Sequence, residues 1–365
     1  MIDFRYHLVS IVAVFLALAV GIVLGSTELR GAALSALDRT SSSLSSKLDA
    51  ANNENSALQQ QVQGDRQFAQ AAEPVLLKQL LDGKKVVIVT TPGAPSSVVN
   101  GIKTGLSDAG ATVSGQVALS SKFADTSASN LSLLDQLTQQ ATPSGLTLTN
   151  GSPQQQAAQV LAAAMVSKAS NSGSGNNKPG SNKSGNGNGN SGNSNSGNGN
   201  GNGSISSQDA QTIVSSFSAG QFISVTGHPT SGATLAVIVT PATAPQDGNS
   251  DPVNQAVVAL AQEFGQASQA TVVTGPSAGS GTGSAISAVR SSGAANNAST
   301  VDNADSVVGQ IVAVQALEQQ MNGHKPGSFG TQSNANSAGP SPAPTPSASS
   351  SASSSSSQKN SSKGK

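Results

Sequence analysis

KKVVIVTTPGA, residues 84–94, decides the fold. Four consecutive apolar residues, Val86 to Val89, follow two lysines and run into Thr90-Thr91-Pro92-Gly93. A short apolar run bounded by turn residues reads as a strand buried on both faces, as inside a parallel sheet. Ser96–Asp108 reads as a helix, and Thr112–Leu119 as a second strand. Strand, helix, strand predicts a parallel sheet with helices on its faces. The pattern returns downstream. Thr234 to Pro241 (TLAVIVTP) echoes Val86 to Pro92, and a helix over Pro252–Phe264, a strand over Ala270–Thr274 and a helix near Ala285–Ser291 follow. Helices are also predicted over Leu131–Gln140, Gln154–Lys168 and Ser306–Met321. The last reads as amphipathic, with Val307, Val308, Ile311, Val314 and Leu317 inward and its Gln and Glu residues outward. The expected fold class is α/β, with residues 83–170 and 205–325 as two halves of one domain.

Two segments interrupt or follow this body. Residues 171–204 are almost all Asn, Gly and Ser. They hold too little apolar surface to offset the entropy of ordering, which predicts a disordered linker. Residues 331–365 are Ser- and Pro-rich and predict a disordered tail.

Upstream, FRYHLVSIVAVFLALAVGIVLG occupies residues 4–25. From Leu8 to Leu24 every residue except Ser10 is apolar or small. That length is near the lower limit for crossing a hydrocarbon core of about 30 Å. Arg5 and His7 flank the entry, and Tyr6 suits the headgroup level. A secretory signal has a shorter apolar region and a small-x-small cleavage site, for which Ala33-Leu34-Ser35 is a weak match. The reading is a retained single-pass anchor over residues 1–27, with a cleaved signal as the alternative. A short leading tail and a long trailing part place the bulk outside the cytoplasm. Taken alone, these residues favour the cytoplasmic membrane.

Residues 28–73 keep a seven-residue rhythm. Leu34, Ser41, Leu48, Asn55, Val62 and Ala69 share one position, and Leu37, Leu44, Ala51, Leu58, Asp65 and Ala72 lie three further on. This is the seam of a coiled coil, where one Asn, here Asn55, sets register and two-strandedness. Pro74 is expected to stop the helix near Glu73. The stalk reads as a parallel homodimer continuous with the anchor. The other reading is a single amphipathic helix folded against the body.

Composition narrows the chemistry. The 365 residues carry 18 basic and 18 acidic side chains, with no basic stripe, so no nucleic-acid partner is expected. Without cysteine there is no disulfide and no thiolate site. Histidine is limited to His7, His228 and His324, and no metalloprotease motif or paired-carboxylate signature appears. Nothing marks a catalytic triad. No enzyme and no resident cofactor are therefore expected. Met321 and His324, three apart at the end of the last helix, are weak candidates for copper ligands, because copper(I) favours thioether and imidazole donors. Met321 reads first as core packing, and His228 as an exposed loop residue. Gly279-Ser-Gly281-Thr-Gly283, with Asp302 about 20 residues on, loosely matches a dinucleotide fingerprint. In so glycine-rich a chain it reads first as a flexible loop.

The opening stretch through Ser26 resembles the start of the actinobacterial copper transport outer membrane protein family, MctB. KKVVIVTTPGA at 84–94, LSDAGATVSGQVAL at 106–119 and STVDNADSVVGQIVAVQALEQQMNG at 299–323 are similar to it as well. The family's His-Tyr-Gly-like close is echoed only loosely, by HKPGSFG at 324–330. The resemblance implies a part in copper homeostasis across the envelope, copper as a transported ion, and an outer membrane location. The residues pull the other way on the pore. A membrane barrel needs many alternating strands and aromatic girdles, and this chain has no Trp and one Tyr. A parallel α/β body cannot span lipid, because its sheet edges would stay unsatisfied there. Any pore would have to be an oligomer of the single apolar helix. The second reading is a dimeric coiled-coil scaffold that presents an α/β domain to other envelope proteins.

Overall fold

The computed structural model describes residues 4–168, 205–242 and 251–341. The predicted linker at 171–204 and residues 342–365 of the predicted tail lie outside them. The chain divides into two compact units, residues 1–67 and 68–365.

Helix α1 (Phe4–Leu77) supplies the described part of the first unit. Its Arg5–Gly25 stretch has mean hydropathy 2.9 and no buried residue. Further along, the seam residues Leu34, Leu37, Leu44, Leu48, Leu58 and Val62 are each more than half exposed. Thr40, Ser46 and Ser56 donate their hydroxyls to carbonyls four residues back, so these polar side chains stay within the helix.

In the second unit α1 runs past Pro74 to Leu77, where the sequence predicts a stop near Glu73. A proline within a helix costs about 3 kcal/mol. Leu77, Leu80 and Leu81 are all buried immediately afterwards, and each contributes about 2 kcal/mol, which outweighs that cost.

The second unit is built on a seven-stranded sheet ordered β3-β2-β1-β4-β5-β6-β7. Its strands are β1 (Lys85–Thr90), β2 (Thr112–Leu119), β3 (Ile223–Gly227), β4 (Leu235–Val239), β5 (Ala270–Thr274), β6 (Ser299–Val301) and β7 (Ser328–Phe329). Every neighbouring pair is parallel except β2 with β3. The predicted α/β class with a parallel sheet is the observed one, with an antiparallel edge strand added. Alternation along the central strands divides the core. Val86, Ile88, Leu235 and Val237 pack with the end of α1 and with α2 (Ser96–Asp108) and α9 (Val307–Met321). Val87, Val89, Ala236 and Ile238 pack beneath α5 (Pro153–Met165), α6 (Ser207–Ala219), α7 (Pro252–Ala267) and α8 (Ala285–Arg290). Two short helices, α3 (Ser121–Ala124) and α4 (Ala128–Ala141), add Phe123 and Leu134 to this second cluster.

Helix α9 turns Val307, Ile311, Val314 and Leu317 inward as expected, and departs from the expectation at three positions. Val308 is 51% exposed, whereas Gln315 and Gln320 are buried. Neighbours cover most of its circumference, so an inward Gln needs partners. Gln320 finds them at the sheet: its Nε2 donates to Thr271 O and Ser299 Oγ, and its Oε1 accepts from Thr271 N.

Candidate functional site

In open α/β sheets, ligands bind beyond the carboxyl ends of the strands, where the strand order reverses. Here the reversal lies between β1 and β4, since the chain turns one way to β2 and the other way to β5. That crevice is stitched shut by its own loops. Thr91 donates both its N–H and its hydroxyl to Val239 O, each at 3.1 Å, and Ala242 N donates to Gly93 O. A cavity of about 10 Å³ remains beside it, lined by Thr91, Pro92, Phe123 and Val253 among others. That is room for about one water molecule.

The glycine-rich loop is a built turn, not the flexible loop predicted. Ser280 is fully buried and donates to Pro276 O at 2.6 Å, and Asn254 Nδ2 donates to Gly283 O. Gly279 is required by packing, because a Cβ there would overlap the backbone of Pro241 and Ala242. Asp302, the acid of the loose fingerprint, is already engaged. Its carboxylate pairs with the Arg290 guanidinium at 3.0 Å, with both side chains almost fully buried.

This ion pair is the most heavily bonded polar group around the sheet end, and sequence reasoning missed it. Arg290 also donates to Thr300 Oγ1, Asn334 Oδ1 and Phe329 O. Asp302 Oδ1 accepts from Thr331 N at 2.7 Å, and Gln332 N lies within reach of both oxygens. Gly330 passes so close, at φ +131°, that a Cβ would overlap the carboxylate. Burial pushes the guanidinium pKa down, and its bond to Asp302 opposes that shift. Residues 331–341, which read from sequence as disordered tail, therefore form a strap held by a buried charge pair. Their small polar residues look like linker because the partners that order them lie far upstream, at Arg290 and Asp302.

Two buried carboxyls stand apart from this cluster. Glu263 on α7 accepts from Gln155 Nε2 on α5 at 3.0 Å. Burial raises its pKa and the Gln155 bond lowers it. Gln155 also lines a groove of about 550 Å³ whose other polar residues, among them Ser152, Gln255 and Gln262, are uncharged. Glu73, near the end of α1, packs against Gly105 of α2 with Oε1 unpartnered. Burial raises its pKa, and the Asp108 carboxylate raises it further. A carboxyl with a raised folded pKa supports the fold most fully below its unfolded value, and that support is lost as pH rises through the folded pKa. Glu73→Gln is therefore expected to stabilise the protein at pH 7.5 and to flatten the decline in stability above pH about 4.5. Urea midpoints at pH 5 and 7.5 check this; an equal pH dependence in the two proteins would count against it.

The weak metal candidates do not share a helical face. α9 ends at Met321, and Gly323 adopts φ +86° between the two residues. Met321 packs partly buried against the core, while His324 is exposed. Burial raises the pKa of neighbouring Glu318, and its hydrogen bond to Asn322 and the charge of His324 lower it. His228 is exposed just after β3. Among the described residues, no three of His, Cys, Asp and Glu come together as a metal-holding group.

A family model described as copper transport outer membrane protein, MctB, matches residues 1–340. A protein named copper transporter MctB from Mycobacterium tuberculosis (strain ATCC 25618 / H37Rv) is 25% identical over 341 residues, covering 92% of this chain and 98% of that protein. Its namesake in Mycobacterium leprae (strain TN) is 28% identical over 345 residues, with the same coverage. The match takes in the apolar stretch, the rest of α1 and the α/β body together, so the chain belongs to the MctB family of copper transport outer membrane proteins.

Proposed function

We propose that this chain is a membrane-anchored cell-envelope protein of copper homeostasis, with its α/β body outside the cytoplasm. The observation that carries the reading is the Arg5–Gly25 helix, apolar over almost its whole length and with no residue buried by the rest of the protein. The metal comes from the relatives, which are named copper transporters. Copper enters as cargo, not as a resident cofactor: the chain has three Met, three His and no Cys, a thin supply of soft donors. Transport itself then rests on assembly, because the single membrane-length apolar helix among the described residues encloses no channel alone.

The exposed heptad seam favours a second reading, a dimeric scaffold that presents the body to other envelope proteins without moving copper itself. Copper tolerance of a deletion strain separates the two. Under the first, the strain becomes copper-sensitive and is rescued by the full-length gene but not by a copy lacking Leu8–Leu24. Unchanged tolerance, with envelope proteins co-purifying with the chain, would support the scaffold. Fractionation of the untagged protein then decides between the cytoplasmic membrane, favoured by a single apolar helix, and the outer membrane named by the family.

A further inference from the structure

Helix α1 carries an apolar face that no described part of its own unit covers. Leu34, Leu37, Leu44, Leu48, Leu58 and Val62 are 54% to 67% exposed. The opposite face carries Arg39, Ser42, Ser46, Asp49, Asn53 and Gln60, with only small apolar residues, Ala36, Ala50 and Ala57, among them. A helix polar on one side and apolar at period 3.5 on the other is built to meet a partner helix.

We infer that the partner is a second copy of this chain, aligned parallel and in register between residues 34 and 66. The inference rests on the membrane-anchored reading, which supplies orientation. Two copies held at residues 5–25 in one membrane run the same way and start at the same height. The core positions are self-complementary in that alignment. Asn55 meets Asn55, and a polar pair at this position is satisfied only when the strands are in register. Asp65 then enters a hole lined by the second copy's Val62 and Arg66, because the residue after each such core position flanks it across a parallel pair. The two Asp65 carboxylates are like charges, and the two Arg66 guanidiniums lie beside them as counter-charges. An antiparallel pairing would put Asn55 opposite leucines and separate these charges from one another.

The absence of native cysteine makes the test direct. Single substitutions Leu48→Cys, Leu58→Cys, Ser46→Cys and Gln60→Cys are made in the full-length protein and oxidised with diamide in isolated membranes. Disulfide geometry demands Cβ atoms about 4 Å apart, so the two seam positions are expected to give roughly tenfold more covalent dimer than the two outer ones. Both seam positions must link to themselves, since in an antiparallel pair only one level can face its own copy. In the Leu58→Cys background, Asp65→Lys is expected to reduce linking and Asp65→Lys with Arg66→Glu to restore it. Equal linking at all four positions, or none at Leu48 and Leu58, overturns the inference. If the protein still sediments with membranes in that case, the anchor reading stands and the dimer alone falls.

Discussion

Asp302→Ala lowers the stability of the body by about 3–5 kcal/mol, the cost of leaving one partner of a buried ion pair uncompensated. The change strands the Arg290 guanidinium, whose side chain is 5% exposed. It also removes the acceptor of the Thr331 N–H, so the strap loses its hold at the same time. Arg290→Met leaves the converse defect, a buried carboxylate, and is expected to cost a similar amount. Arg290→Met combined with Asp302→Leu is expected to recover only the part of the loss that comes from the stranded charge, because Thr331 N still lacks its carboxylate acceptor and Phe329 O its guanidinium donor. Urea unfolding of detergent-solubilised protein, followed by circular dichroism, gives the three values. Amide exchange in β6 and β7 locates the effect: the single variants should speed exchange there first. Equal stability of the parent and Asp302→Ala would show that the pair carries no net weight in the fold.

The second large effect concerns the anchor. Val14→Asp with Leu18→Asp places two carboxylates on one face near the middle of the apolar helix. Each costs about 3 kcal/mol at the bilayer centre, so the pair shifts partitioning out of the membrane by about 10⁴-fold. The expected result is full-length protein in the soluble fraction after alkaline extraction, with the body still folded, because the core residues all lie in the second unit. Retention in the membrane pellet would show that something other than residues 5–25 holds the chain there.

What the sequence made legible follows from how each element is stabilised. Strands β1, β4 and β5 are buried along nearly their whole length, so their apolar runs announce them. The apolar helix announces itself by length and composition. β3 is an edge strand with one buried residue in five, and its ISVTG carries no such signal. β6 is three residues of which two are hydroxylated, and β7 is two; both exist because neighbours pair with them. α6 escapes notice because its Ser and Gln residues continue the texture of the preceding low-complexity stretch, although Ile213, Val214 and Phe217 mark a buried face. The Arg290–Asp302 pair could not be read from spacing. The residues between them hold a 3-10 turn and a strand, and only the packing of α8 against β6 brings the charges together. Proline's usual meaning fails at Pro74 because Leu77, about one turn later, belongs to the core.

If residues 5–25 hold the chain in a membrane, the residues around Pro74 restrict where the body can be cut free of it. Many anchored proteins are shed by cutting a spacer between anchor and domain. Here the backbone leading into the body is itself structural: Ala69 is buried, then Glu73, Leu77, Leu80 and Leu81, with β1 starting at Lys85. A protease acting anywhere in that interval removes core side chains from what it releases. Clean release is confined to the exposed helix of residues 34–67, and a fragment cut there keeps the body's own first turns.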